Sequence, residues 1–361
     1  MSYFLTGFPG FITSRVVLKL AEDDASQQFV LLVHPSQLEK ARSTVEVLAG
    51  ETGGSLDRFR IIDGDITRSD LGLSKNEHEE LTEQISKVFH FAAIYDLAVS
   101  EEVAELVNVQ GTENVTKWVK TLPNLERYIY CSTAYVSGKR QGTVLETELI
   151  DINGFKNHYE STKFKAEVIV QRYWDDIPTT IVRPGVVMGD SRTGETDKFD
   201  GPYFVMRFLD KLSKLPIPNI GKGDALFNVV PVNFVVNAIC CLAHANEALH
   251  KVYHLVDPSP HTVRDAFATI CQAQMGFTPR YTIPLSLVKA GLSIPAFRRW
   301  VGVELETLDY FRIGPVYDCY QAEKDLATLG ITCPDFASYV KTAVEYFEEH
   351  KSDADKKIKV V

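Results

Sequence analysis

Tyr159 and Lys163 stand four residues apart in HYESTKFKAE, so both side chains would project from one face of a helix. A free tyrosine phenol has a pKa of about 10, which is too high for easy proton exchange at neutral pH. A neighbouring ammonium group lowers that pKa, which would make Tyr159 a general acid or base. Lys163 could also bind a ribose hydroxyl. The spacing is common by chance, so the pair alone is a weak indication of catalysis.

Ser132 and Thr133 add two hydroxyl groups upstream of this pair, in YIYCSTAYVSG. The segment predicts a strand that ends at these residues, and parallel sheets bind ligands at the carboxyl ends of their strands. A hydroxyl at that edge could hold a substrate carbonyl oxygen opposite the tyrosine. Either hydroxyl alone could simply cap the backbone, but the four residues together favour proton transfer to a carbonyl oxygen.

The amino-terminal segment YFLTGFPGFITSRVVLKLAE predicts a strand, a glycine turn and a helix. In dinucleotide-binding turns the first glycine permits the bend, the second admits the pyrophosphate, and the third lets helix pack on strand. Gly7 and Gly10 match the first two, whereas Thr13 takes the third position. The amides of residues 11 and 12 open the helix and can bind an anion. We expect a dinucleotide site that keeps its pyrophosphate contacts.

The end of the second predicted strand bears on the choice of cofactor. An Asp or Glu there would bind the ribose hydroxyls of NAD and repel a 2′-phosphate. The strand ends LLVHPSQ without a carboxylate, and His34, Ser36, Lys40 and Arg42 lie within a few residues. Lys40 or Arg42 alone could be a solvated helix charge. The missing acid favours NADP(H) over NAD(H).

Strand-like and helix-like segments alternate through the first two thirds of the chain, as in a parallel sheet with crossover helices. We predict an α/β fold with a doubly wound Rossmann parallel sheet over residues 1–189, the catalytic pair included. Residues 190–225 mix Gly, Pro and aromatic residues irregularly, which indicates a substrate-side insertion. Residues 190–361 would form mainly a smaller carboxyl-terminal substrate domain, with some segments returning to the Rossmann domain.

Composition excludes several other classes of protein. The 361 residues are 45% hydrophobic and carry a net charge of -10 without a Lys/Arg stripe, so nucleic acid and anionic membranes are not expected partners. No apolar run approaches the roughly 20 residues that span a bilayer. The six cysteines show no C-x-x-C pairing and the chain starts without an apolar leader, so we expect free thiols, no metal and a cytoplasmic protein.

Other conspicuous residues have plainer explanations. His90 ends the fourth predicted strand, where a histidine satisfied by neighbouring backbone is favoured over an acid or base. Tyr95 and Asp96 follow that strand and could touch substrate or fill a loop. Aromatic residues of the insertion suggest an apolar pocket or lid, although they could form a small core of their own. They are Phe199, Tyr203, Phe204 and Phe208.

The chain resembles the extended short-chain dehydrogenases/reductases over nearly its whole length, in TGFPGFI, DGDIT, VFHFAAIYDL, NVQGT, YCSTAYVSG, YESTK and VRPGVVMG. Within that family it is most similar to the branch with fatty acyl-CoA reductases and the thioester-reductase domains of carboxylate-reducing and peptide-synthesising enzymes, in GDITRSDLGLS, STAYVSG, VVPVNFVVNAI and CPDFASYV. That branch usually uses NADPH. Asn233 departs from its usual Asp, and Thr13 from the family's third glycine.

The resemblance implies a role for each matching residue. Thr133, Tyr159 and Lys163 would form the catalytic set, with Ser132 one residue early and Asn108 supporting the site from its helix. Other matching residues would contact adenine, line the cofactor cleft or meet the nicotinamide amide. The predicted cofactor-binding residues are Thr6, Gly7, Gly10, Phe11, Ile12, His34, Ser36, Arg42, Asp65, Ile66, Ala92, Ala93, Tyr159, Lys163, Pro184, Gly185 and Val186.

These observations predict an NADP-dependent oxidoreductase in which hydride passes between the nicotinamide and a carbonyl carbon. Tyr159 would protonate the oxygen, Thr133 would hydrogen-bond it, and Lys163 would lower the pKa of the phenol. The favoured substrates are acyl thioesters, on a separate acyl carrier or as free coenzyme esters, or apolar aldehydes and ketones. A homodimer is one assembly that the sequence allows.

Two alternatives stay open. A nucleotide-sugar epimerase or dehydratase would need cationic groups for a diphosphate, and the insertion offers Arg192, Arg207 and Lys222, although its aromatic content favours an apolar ligand. A non-catalytic sensor or scaffold that binds a dinucleotide would have no need for the hydroxyl, phenol and ammonium together.

Overall fold

The computed structural model describes residues 1–95, 99–213, 215–301 and 314–356. The strands are β1 Ser2–Thr6, β2 Gln28–Val33, β3 Phe59–Asp63, β4 Ile85–His90, β5 Arg127–Cys131, β6 Gly142–Val144, β7 Thr179–Pro184, β8 Val186–Met188, β9 Asn219–Ile220, β10 Val229–Pro231, β11 Lys251–Leu255, β12 Thr282–Ile283 and β13 Pro315–Tyr317. The helices are α1 Phe11–Asp23, α2 Leu38–Thr52, α3 Lys75–Gln84, α4 Glu101–Ala104, α5 Gly111–Val119, α6 His158–Arg172, α7 Tyr203–Lys211, α8 Val232–Leu242, α9 Val263–Met275, α10 Leu285–Leu292, α11 Pro295–Val301, α12 Tyr320–Thr328 and α13 Phe336–His350.

In the described part of the chain, seven strands form a parallel sheet in the order β11-β7-β5-β4-β1-β2-β3. The predicted doubly wound α/β fold is confirmed. The chain order reverses between β1 and β4, and in open α/β sheets ligands bind at the carboxyl ends of the strands beside such a point. The sheet thus places one binding crevice beyond Thr6 and His90.

The strands are apolar because helices cover both faces of the sheet. On one face, α1, α2 and α8 share a core with Leu5 and Leu31. On the other, α3, α5 and α6 share a core with Phe4 and Val30. Neighbouring residues of one strand thus enter opposite cores, as the two-residue period of a strand requires. The two cores hold the strand ends, and the loops that follow them, in place.

The segment TTIVRPGVVMG predicts one strand, whereas the structure divides it at Gly185 into β7 and β8. Val186 donates its backbone N–H to the Asn228 carbonyl, and β8 leaves the main sheet to pair with β10. A Cβ on Gly185 would lie 2.8 Å from that carbonyl oxygen, so the close approach of the two backbones needs a glycine.

Beyond residue 189 the chain both returns to the main sheet and builds a core of its own. The strand β11 pairs with β7, whereas α7, α9 and α13 pack around a separate apolar cluster. Phe199 and Tyr203 are buried in that cluster, which matches the alternative of a small core. The division between domains at residue 189 stays a prediction.

The described ranges hold no helix with both the length and the apolarity to cross a membrane. The same ranges hold no group of three His, Cys, Asp or Glu side chains arranged to bind a metal. All six cysteines fall within these ranges, and each is a free thiol.

Candidate active site

The glycine turn after β1 is built by two close backbone contacts. Gly7 has a φ of +85°, and a Cβ there would lie 2.7 Å from the backbone nitrogen of Ala92. Gly10 donates its N–H to the Gly7 carbonyl at 2.8 Å, and a Cβ on Gly10 would lie 2.6 Å from that oxygen. Side chains are therefore excluded at both positions, and the turn keeps its backbone open to the cleft.

Helix α1 starts directly after this turn, with Gly10 as its N-cap residue. No side chain caps the first turn and no acidic residue lies in it, and the first residues of the helix line the cleft. Thr13, at the position of the missing third glycine, is almost completely buried while α1 packs against α8. The threonine is accommodated within a regular helix.

The loop after β2 carries the side chains predicted to meet a 2′-phosphate. Nδ1 of His34 lies 2.8 Å from Oγ of Ser36, and both residues line the cleft. Lys40 also lines it, whereas Arg42 is exposed on α2 and lies outside the lining. Of the two basic residues, Lys40 is the one in position to meet a phosphate in the cleft.

The proposed catalytic residues lie together at the carboxyl ends of β5 and β7. The Thr133 hydroxyl lies 3.5 Å from the Pro184 carbonyl oxygen and close enough to the Tyr159 phenol to lower the pKa of that group. The Lys163 ammonium donates to the Tyr130 hydroxyl at 3.0 Å and to the Cys131 carbonyl at 2.8 Å. The hydroxyl, phenol and ammonium predicted from the sequence thus share one site.

The effect of Lys163 on Tyr159 differs from the prediction. Burial raises the pKa of Tyr159 above its ordinary value, and the hydrogen bond with Thr133 opposes that rise only in part. Burial also lowers the pKa of Lys163 to about 8. The lysine does not lower the pKa of the phenol in this structure, because its ammonium donates to Tyr130 and Cys131 instead. The phenol therefore stays protonated at neutral pH.

Ser132 is held in a buried ionic network. Its hydroxyl donates to Oε2 of Glu167 at 2.5 Å, and Glu167 pairs with Arg183, with both charged side chains fully buried. Arg183 also donates to the carbonyl of Glu146 and contacts Nε2 of His254. A buried pair of this kind is costly to break, because each charge satisfies the other. Thr133 remains the hydroxyl that contacts Tyr159.

Asn108 connects the loop after β4 to helix α6 behind the site and does not line the cleft. Its Oδ1 accepts from the Ile94 N–H at 2.8 Å, and its Nδ2 donates to the Ile94 carbonyl and to the Thr162 hydroxyl, each at 3.0 Å. It lies in a π-helical stretch, Glu105–Gln110, which the sequence did not predict and which often marks functional sites. Asn108 thereby fixes the loop after β4 to the helix that carries Tyr159.

His90 is satisfied by hydroxyl groups rather than by the backbone predicted for it. Nδ1 lies 2.7 Å from Oγ1 of Thr6, and Nε2 lies 3.1 Å from Oγ1 of Thr112. Burial lowers the pKa of His90 to about 3, with the Lys163 charge adding to the effect. The ring is therefore neutral, and it is enclosed as part of the scaffold.

A cleft of about 1970 Å³ runs from the glycine turn past Tyr159 to α7 and α9. Pockets for a single drug-sized ligand measure about 300–1,000 Å³, so this cleft has room for a dinucleotide and a second molecule. The predicted residues that line it are Thr6, Gly7, Gly10, Phe11, Ile12, His34, Ser36, Asp65, Ile66, Ala92, Ala93, Ser132, Thr133, Tyr159, Lys163, Pro184, Gly185 and Val186.

The far end of the cleft contains residues that the sequence did not single out. Its walls include Asp200, Phe267 of α9 and the segment 353–356, along with Phe204 from the predicted aromatic group. The amphipathic pattern of a helix predicts that one face is buried, but it does not indicate which face borders a ligand. Tyr95 lines the cleft and contacts Lys198 at 3.4 Å, whereas Asp96 lies outside the described residues.

Comparison with known sequences places this cleft in context. The family described as "Male sterility protein" matches residues 5–239. The fatty acyl-CoA reductase wat of Drosophila melanogaster is 27% identical over 339 residues, which cover 78% of this chain and 63% of that protein. The nonribosomal peptide synthetase asaC of Aspergillus flavus is 27% identical over 277 residues, which cover 73% of this chain and 26% of the synthetase. The chain spans less than two thirds of either relative.

Solved structures share the fold at low identity. The terminal R domain of the myxalamid PKS-NRPS pathway has a TM-score of 0.80 at 24% identity, covering 97% of this chain and 91% of that one. A thiolation-reductase di-domain of an archaeal non-ribosomal peptide synthetase has a TM-score of 0.74 at 18% identity, covering 97% and 75%. The UDP-glucuronic acid 4-epimerase of Bacillus cereus in complex with NAD scores 0.67 at 17% identity, covering 98% and 99%.

Proposed function

Because the chain belongs to the male sterility protein family, in the fatty acyl-CoA and thioester reductase branch of the extended short-chain dehydrogenases/reductases, we propose that it is an NADPH-dependent reductase of acyl thioesters or of the matching apolar aldehydes and ketones. One observation carries the proposal. The Thr133 hydroxyl, the Tyr159 phenol and the Lys163 ammonium lie in the same cleft as the glycine turn. A protein that only bound the dinucleotide would not need this arrangement.

The residues present fit a dinucleotide. The turn at Gly7 and Gly10 excludes side chains, and the uncapped start of α1 offers amides to a pyrophosphate. At the other end of the ligand, His34, Ser36 and Lys40 would hold the 2′-phosphate of NADPH, and β2 ends without the carboxylate that would repel it. When bound, the reduced nicotinamide supplies the hydride.

Tyr159 is the proton donor in this proposal. Because burial raises the pKa of Tyr159, the phenol keeps its proton at neutral pH and can transfer it to the carbonyl oxygen as the carbon accepts hydride. The Thr133 hydroxyl orients the phenol and the oxygen. Lys163 is charged below a pH of about 8, and its ammonium would bind a ribose hydroxyl of the cofactor. With a thioester, the carbon–sulfur bond then breaks as the carbonyl re-forms, and an aldehyde and a thiol leave.

The epimerase alternative receives no support from the three cations that the sequence offered for its diphosphate. Arg192 is exposed and paired with Asp190, and Arg207 donates to the Phe199 carbonyl. Neither of them lines the cleft, and nor does Lys222. The substrate end instead offers the aromatic rings of Phe204 and Phe267, which suit an apolar acyl chain.

The proposal is tested by NADPH oxidation with octanoyl-CoA and, separately, with octanal. We expect oxidation with the thioester and release of free thiol, with NADH as the slower control cofactor. Oxidation with octanal alone would restrict the activity to carbonyl compounds. Silence with both, while NADPH still binds, would contradict a reductase and favour a binding role.

A further inference from the structure

Asp200 contributes a carboxylate to the substrate end of the cleft. It lines the cleft directly before α7, next to Gly201, where an added Cβ would lie 3.1 Å from Cγ1 of Val186. Val186 belongs to the segment assigned to the nicotinamide amide. Asp200 is therefore close to the place where a bound substrate would meet the cofactor.

No side chain in the described ranges hydrogen-bonds the Asp200 carboxylate or forms an ion pair with it. Its own backbone amide and the charge of Lys198 act on it weakly, and the Lys198 ammonium lies 3.4 Å from the Tyr95 hydroxyl. Burial raises the pKa of Asp200 to about 6, so the group is mostly ionised at neutral pH. A half-buried carboxylate without a partner is destabilising, and a ligand that supplied a donor would remove that penalty.

Aromatic and aliphatic side chains from two helices also contribute to the walls at this end of the cleft. Phe204 and Val205 from α7 and Phe267 and Ile270 from α9 line the same end of the cleft. Aromatic faces attract cations as well as apolar chains, and an acid among them favours a cationic group further. A plain acyl chain would fill this space while leaving the carboxylate unpaired.

Resting on the proposed function, we propose that Asp200 selects acyl thioesters whose acyl chain carries a hydrogen-bond donor, an ammonium group above all. A site with a buried polar group discriminates strongly against a ligand that leaves the group unpaired, whereas an apolar pocket discriminates weakly. The sequence predicts an apolar substrate, and Asp200 adds the requirement for a hydrogen-bond donor on its acyl chain. It acts on substrate choice and leaves the proton transfer by Tyr159 unchanged.

The test compares hexanoyl, 6-hydroxyhexanoyl and 6-aminohexanoyl thioesters of N-acetylcysteamine, with NADPH consumption as the readout. We expect the wild-type protein to prefer the amino compound by at least ~10-fold in kcat/KM over the hexanoyl compound. Asp200→Asn should remove most of that preference through KM. Asp175→Asn, at an exposed carboxylate beyond α6, is the matched control and should keep the preference.

Each result separates the inference from the function beneath it. If the wild-type protein reduces no thioester at all, the proposed function fails. If it reduces all three equally, or if Asp200→Asn leaves the ratio unchanged, the function stands and the role of Asp200 is refuted. A preference for the 6-hydroxyhexanoyl compound alone would refute the proposal that the preferred acyl chain carries an ammonium group. Loss of NADPH affinity in Asp200→Asn, measured by fluorescence titration, would assign the carboxylate to the cofactor and overturn the proposal.

Discussion

The two ends of the cleft are built in different ways. At the cofactor end, backbone approaches backbone, as at Gly7 and Gly10, and short sequence motifs mark the places where a side chain cannot fit. At the substrate end, the walls are side chains from α7, α9 and the segment 353–356, which lie far apart in the sequence. The cofactor end can therefore be predicted from a sequence motif, whereas the substrate end is recognised only in the three-dimensional structure. Changes at the cofactor end should affect every substrate alike, whereas changes at the substrate end should alter the choice among substrates.

The largest effect is expected for Tyr159→Phe, which removes the proton donor and keeps the ring. The kcat for every substrate should fall by ~10²–10⁴-fold, while the Kd for NADPH stays unchanged. Steady-state kinetics with NADPH titration in parallel measures both quantities. If Tyr159→Phe lost activity with one substrate and kept it with another, the proposed division of the cleft into a cofactor end and a substrate end would be contradicted.

Substitutions of the two neighbouring hydroxyl residues should have different effects on kcat and on stability. Thr133→Val should lower kcat by ~10²-fold, because it removes the hydroxyl that contacts the Tyr159 phenol. Ser132→Ala should lower the free energy of unfolding by about 1 kcal/mol and leave kcat largely intact, because its hydroxyl is used by Glu167. Chemical denaturation and kinetics on both variants make the comparison. The reverse pattern would show that Ser132 is the hydroxyl used in the reaction.

Gly10→Ala should weaken NADPH binding by at least ~10-fold, because its Cβ would lie 2.6 Å from the Gly7 carbonyl oxygen. Isothermal titration gives the Kd. Gly50→Ala in α2 is the matched control, since its Cβ would meet nothing within 4 Å. The control should keep the Kd and add up to ~1 kcal/mol of helix stability. Equal Kd values for the two variants would contradict the close-approach argument.

The dependence of kcat on pH should show the titration of the Lys163 ammonium group. Its pKa is lowered by burial to about 8, so the ammonium loses its proton as the pH rises through that value. The kcat should therefore be level near neutral pH and fall above a pH of about 8. Lys163→Arg keeps the charge at all accessible pH values, so its alkaline fall should vanish even if its kcat is lower. An unchanged fall in the arginine variant would assign the titration to another group.

The smallest effect is expected at the 2′-phosphate position. Lys40→Ala should reduce the preference for NADPH over NADH by ~3- to 10-fold, because one exposed charge–phosphate contact contributes about 1 kcal/mol. Arg42→Ala should leave the preference unchanged, because Arg42 lies outside the lining. Competition kinetics with both cofactors measures the ratio. An effect confined to the Arg42 variant would contradict the role of Lys40 and support Arg42, which the sequence predicted, as the residue that meets the 2′-phosphate.

The sequence predicted the parts of the molecule that are fixed by local rules. Continuous apolar strands predicted the parallel sheet, and Gly7, Gly10 and the Tyr159–Lys163 spacing predicted the site at its edge. The hydrogen bonds of Lys163 to Tyr130 and Cys131, and the burial that raises the pKa of the phenol, depend on contacts between distant strands and helices. Asp200 is one of many acidic residues in the sequence, and its position in the cleft follows only from the packing of α7.

Thioester reduction in this cleft can be followed atom by atom with NADPH deuterated at both C4 positions and octanoyl-CoA under single-turnover conditions, using mass spectrometry and a thiol assay. We expect an aldehyde with one deuterium on the former carbonyl carbon and one free thiol for each NADPH oxidised. Oxidation of NADPH without transfer of deuterium, or transfer without release of thiol, would contradict the assignment of this cleft to thioester reduction.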